Sequence, residues 1–168
     1  QGSPWPEEPG VRLLIAEMDG SMVPRVETAP PGSDEPRDRR KTRQLSWTEA
    51  RLCLVQEPGS VTPRFGATMG SVEAAGDQLW ECAVAAGAGH QTRVHAVGDG
   101  APWITDQVDR TFGTQATYLV DFYHLCDYLA AAADVVVGPE KAAWIEEKKT
   151  WLRENRWPEV LDALRPFV

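Results

Sequence analysis

The sequence predicts an α/β protein built on a mixed sheet, and three observations carry that prediction. Strand-like segments come first, short strands then alternate with helical periodicity, and an Asp-Gly pair stands at the end of two strands. The 168 residues suffice for one domain with a real core, and 42% hydrophobic with 25% charged residues is the balance of a soluble globular chain. No apolar run is long enough to span a bilayer, and no charged-then-apolar secretion signal opens the chain. Cys53, Cys82 and Cys126 lie far apart, each inside an apolar periodic segment. Buried free thiols in a reducing cytoplasm are therefore expected. A net charge of −8 opposes nucleic-acid binding by bulk electrostatics, so any DNA contact has to be local.

The opening "QGSPWPEEPG" is rich in proline and glycine and reads as a flexible tail over residues 1–10. "VRLLIAEMDG" follows as a strand, with Leu13, Ile15, Glu17 and Asp19 on one face and Leu14, Ala16 and Met18 on the other. An exposed loop is expected over about 24–46. Its basic end, Arg37, Arg39, Arg40, Lys41 and Arg43, faces either phosphates or solvent. "WTEARLCLVQE" gives a second strand around 50–56, and "RFGATMG" a short third one.

From Ser71 the period changes. Val72, Ala75, Leu79, Cys82 and Ala86 recur at helical spacing, with Ser71 as N-cap. "RVHAVG" is a strand, "PWITDQVDRTFG" a helix opened by Pro102 and closed by Gly113, and "ATYLVDFYH" another strand. A helix follows with Leu125, Cys126, Leu129, Ala132 and Val136 inward. After Gly138-Pro139 come a long amphipathic helix, with Trp144, Ile145, Trp151 and Leu152 on one side, and the start of a last one.

Antiparallel strands followed by parallel βα units, with helices on both faces, make the element order of ribonuclease-H-like folds. In that order the first and fourth strands are neighbours, so Asp19 and Asp99 converge. Converging carboxylates are what a two-metal phosphodiester site needs, because the two ions share bridging ligands.

"AEMDGSMV", "WTEARLCLVQ", "VGDGAPWI" and "YLVDFYHLCDYL", in this order, resemble the catalytic core of bacterial insertion-sequence DDE transposases of the ISKra group, over roughly residues 11–136. The resemblance implies that Asp19 and Asp99 are the first two catalytic carboxylates and ligands of Mg²⁺ or Mn²⁺. It implies DNA cleavage and strand transfer at transposon ends, with transposon-end DNA and a second copy of the chain as partners, in the bacterial cytoplasm at the nucleoid. Asp121 and His124 match the DxxH signature of related transposases. The family's third acid, a glutamate beyond a helical insertion, has no counterpart here. The core is therefore expected over 11–138, the start of an incomplete insertion over 139–168, weak metal binding, and no activity of the chain alone.

Each residue also has a plainer role to set beside this. Asp19 and Asp99 could close strands as ordinary Asp-Gly turns, Glu17 could assist Asp19 from the same face, and His124 could simply hydrogen-bond Asp121. Trp103 reads as a sheet-covering residue. Two rival functions are a transposase remnant that only associates with intact subunits, and a haloacid-dehalogenase-type phosphatase. "EMDGS" and "GDGAPWITD" echo the motifs of the phosphatases, but Glu17 occupies the nucleophile position and no lysine lies between residues 42 and 140.

Overall fold

The computed structural model describes residues 5–28 and 43–167, so the basic run from Arg37 to Lys41 lies outside the described residues. The chain forms two compact units, Gln1–Leu119 and Val120–Val168.

The first unit grows from one long strand, β1 (Leu13–Thr28). β2 (Arg43–Gln56) pairs with it antiparallel, from Ile15 opposite Gln56 to Thr28 opposite Arg43. β3 (Arg64–Thr68) adds antiparallel to β2, and β4 (Arg93–Gly98) adds to β1 in parallel. With β5 (Ala116–Val120) beside β4, the order is β3-β2-β1-β4-β5. Side-chain alternation then separates the faces. Leu14, Ala16, Met18, Cys53, Val55, Val94 and Ala96 form the buried one.

Two helices cover that face: α1 (Val72–Ala85), through Ala75, Leu79, Cys82 and Ala83, and α2 (Pro102–Phe112), through Ile104, Val108 and Phe112. Their ends are where the sequence places them. Ser71 caps α1 by accepting the Ala74 N–H at 3.3 Å, and Gly113 closes α2. Within this unit both helices lie on one face. The opposite face carries Leu13, Ile15, Glu17 and Asp19, with Leu52, Phe65 and Leu119 exposed.

β1 and β2 continue beyond their outer neighbours. β4 pairs with β1 only as far as Glu17, and β3 with β2 only over Arg51–Val55. From Ser21 opposite Ala50 to Thr28 opposite Arg43 they form a two-stranded ribbon, so both ends of the expected 24–46 loop are strand. Of the stretch read as a tail, residues 5–10 are held in place. Trp5 meets Trp80 edge-on at 5.0 Å, and the Glu8 and Pro9 carbonyls accept the N–H groups of His90 and Gln91.

The second unit holds α3 (Phe122–Val136), α4 (Lys141–Arg153) and α5 (Trp157–Leu164). α3 groups with α4 and α5 in the compact unit that begins at Val120. Lys148 is buried between two tryptophans of its own helix, its Nζ 3.4 Å from the Trp151 ring centre and 5.5 Å from that of Trp144, and 2.6 Å from a Glu147 carboxylate oxygen. The i, i+4 and i+3 spacing puts the three on one helix face, where the rings accept a cation that burial would otherwise disfavour. Among the described residues no helix is long and apolar enough to cross a membrane.

Candidate functional site

β1 and β4 run parallel with a constant offset, Leu13 opposite Arg93 through Glu17 opposite Val97. Asp19 stands two positions further along β1, and Asp99 stands one residue past the end of β4, in a bend. Neighbouring strands lie only about 4.8 Å apart, so the two acids leave from the same end of two adjacent, parallel backbones. Glu17 shares the sheet face of Asp19, one side-chain step before it, and is exposed.

Local hydrogen bonds orient both acids. An Asp19 carboxylate oxygen accepts its neighbour's N–H, from Gly20, at 2.7 Å. Asp99 leaves the strand in a bend, half-buried, and its Oδ1 accepts the Ala101 N–H at 2.7 Å. That is an Asx turn leading into α2, whose N-cap, Ala101, has no capping side chain of its own. The carboxylate thus lies against the N-terminal end of a helix, where the macrodipole favours negative charge.

The glycines on either side have separate causes. Gly100 has φ +93°, a backbone conformation that side chains resist, and donates its N–H to the Tyr118 hydroxyl at 3.1 Å. A Cβ on Gly98 would stand 2.7 Å from that hydroxyl and 3.1 Å from Ile104 Cγ2. The space beside Gly98 is therefore filled by the protein's own β5 and α2. Tyr118 is the residue missed in the sequence. It reads as one more apolar strand position in "ATYLV", and only the pairing of β5 beside β4 brings its hydroxyl to the Asp99 bend.

A second cluster lies on the helix-covered side of β1. Arg51, opposite Gly20, pairs with Glu49, donates to the Gly70 carbonyl at 2.7 Å and stacks 5.5 Å over the Trp103 ring. Trp103 is thus half-buried against the core, in the covering role expected of it. The Arg51 Nε is buried without a hydrogen-bond partner.

Asp121 and His124 belong to the second unit, where their geometry is that of a helix cap. Asp121 is the N-cap of α3, its Oδ1 accepting the N–H groups of Tyr123 at 2.9 Å and His124 at 3.1 Å, with His124 Nδ1 at 3.3 Å. These bonds, the His124 backbone N–H above all, hold its carboxyl below the usual carboxylate range. Elsewhere, His95 Nδ1 lies 2.6 Å from Thr117 Oγ1, and His90 Nδ1 3.0 Å from the Glu8 carbonyl. Among the described residues no group of three or more His, Cys, Asp or Glu side chains is gathered to hold a metal ion.

Fold and site together define an α/β protein with a mixed five-stranded sheet, with Asp19 on β1 and Asp99 just past β4, two strands that pair in parallel. Set against protein-family models, curated proteins and solved structures, the chain matches none.

Proposed function

We propose that this chain carries the catalytic core of a DDE-type transposase with a ribonuclease-H-like fold, in which Asp19 and Asp99 hold a divalent metal ion for DNA strand cleavage and transfer. The observation that carries this reading is the β1–β4 pairing, which sets the strand of Asp19 beside the strand that leads into Asp99. The strand order, with three antiparallel strands first and then a parallel crossover, supports it. Carboxylate oxygens are the ligands that Mg²⁺ and Mn²⁺ prefer, and both acids can supply them. When bound, the ion would activate an attacking oxygen and stabilise the leaving one. Asp19 and Asp99 fix its place, and Tyr118, through the Gly100 N–H, holds the bend that aims Asp99. DNA would have to be engaged locally and more weakly as salt rises, because the chain's net charge is −8.

Asp99→Asn makes a clean test, since an amide oxygen still accepts the Ala101 N–H and keeps the turn. Mn²⁺ titration of the full chain, followed by paramagnetic broadening of nearby resonances, is expected to show weak binding that Asp19→Asn and Asp99→Asn each abolish without unfolding the protein. No supercoiled-plasmid nicking is expected of the chain alone; nicking that needs the metal and disappears in Asp99→Asn would keep the two acids as ligands but overturn the expected inactivity. Broadening that is unchanged in both variants would overturn it.

A further inference from the structure

Cys53 and Cys82 meet in the core of the first unit with their sulfurs 3.9 Å apart, linking the middle of β2 to the buried face of α1. Both are buried, at 5% and 6% exposure. Gly66 of β3 creates this approach. A Cβ there would stand 2.7 Å from Cys53 Sγ and 3.1 Å from Gln78 Cβ, so only glycine lets α1 settle this close to the sheet. Neither thiol has a place in the site proposed above. We propose that Cys53 and Cys82 are a latent dithiol that hydrogen peroxide closes to a disulfide inside the folded core, tying α1 to β2.

In the reaction, one sulfur attacks peroxide: an S–O bond forms, the O–O bond breaks, and one water leaves. The second thiol then attacks that sulfur, an S–S bond forms, and the hydroxyl departs as a second water. The pair loses two electrons and two protons, and peroxide takes both. The sulfurs have to close from 3.9 Å to about 2.05 Å, which side-chain rotation has to supply. Burial also makes the pair slow. It pushes the Cys53 thiol up to about 12 and raises Cys82 as well, so little thiolate exists at neutral pH. The half-buried Cys126 is the internal reference for a more accessible thiol.

The test treats the reduced full chain with hydrogen peroxide, alkylates the remaining thiols in denaturant, and maps peptides without reductant. The expected result is a Cys53–Cys82 crosslink and a thermal midpoint raised by roughly 5 °C or more, reversed by dithiothreitol. Cys126→Ser should behave the same way. Cys82→Ala and Cys53→Ala, each shown to be folded by its reduced midpoint, should show neither the crosslink nor the rise. The proposal fails if Cys53 and Cys82 both remain alkylatable while Cys126 oxidises, or if the crosslinks run through Cys126. A Cys53–Cys82 bond that lowers the midpoint would also overturn it, because the bond would then be one the folded core does not accommodate.

Discussion

Gly98 and Gly100 flank the same aspartate but answer to different constraints, and substitution can separate them. Gly98→Ala drives a methyl against the Tyr118 hydroxyl, and is expected to destabilise the fold by about 1–3 kcal/mol. Tyr118→Phe alone loses the hydrogen bond from Gly100, worth about 1 kcal/mol. In the double variant the hydroxyl is gone and only the approach to Ile104, 3.1 Å at Cγ2, remains, so its loss of stability should be well below the sum of the two single losses. Simple additivity in denaturant melts would mean that the hydroxyl is not what excludes a side chain there. Asp121 allows a similar separation. As the α3 cap, it should cost about 1 kcal/mol as Asp121→Ala and almost nothing as Asp121→Asn, since asparagine caps equally well. Its carboxyl is depressed in the folded protein, so the cap is at full strength at neutral pH and fades as pH falls through that lowered value. An asparagine variant as unstable as the alanine one would show that charge, not capping geometry, is what α3 needs. Asp19-Gly20, read as a strand end, lies inside β1, which continues to Thr28; only Asp99-Gly100, just past β4, was legible from that short-range signal. Tyr118 was not, because its partner is set by strand order.

At the scale of elements, α1, β4 and α2 were readable nearly to the residue, since each carries its own stop signals in Ser71, Gly98, Pro102 and Gly113. The ribbon was not. Pro24 and the polar run around it argue for a loop, yet β1 keeps its pairing through Pro24, opposite Trp47. A ribbon with no third strand and no buried face lacks the hydrophobic alternation by which strands are recognised, and it exposes Met22, Val26, Leu45 and Trp47. Two-stranded pairing is marginal alone, so backbone amides in residues 21–28 and 43–50 should exchange with solvent much faster than those in residues 14–18. Hydrogen-exchange mass spectrometry reads this directly. Equal protection along the whole of β1 would mean that the ribbon is covered in solution. The Lys148 site was hidden for the opposite reason: a lysine on a helix reads as solvated until two tryptophans one turn either side enclose it.

For the molecule as a whole, the sequence order of strands and helices led to the mixed sheet, while the second compact unit begins at Val120. Helical periodicity marks where α3 lies but carries no information about which neighbours it joins. The parallel pairing of β1 with β4 has one further consequence, for the time course of folding. The β1–β2 ladder joins strands that follow one another in the chain, whereas β4 reaches β1 only after β2, β3 and α1 have intervened. Closing so long a loop costs entropy before any contact repays it, so the ladder that sets the strands of Asp19 and Asp99 side by side belongs to the late part of the folding reaction. A chain caught midway can hold a formed hairpin and a formed α1 while its two acids are still far apart. Setting the two acids on neighbouring strands therefore waits for β4 to join the sheet.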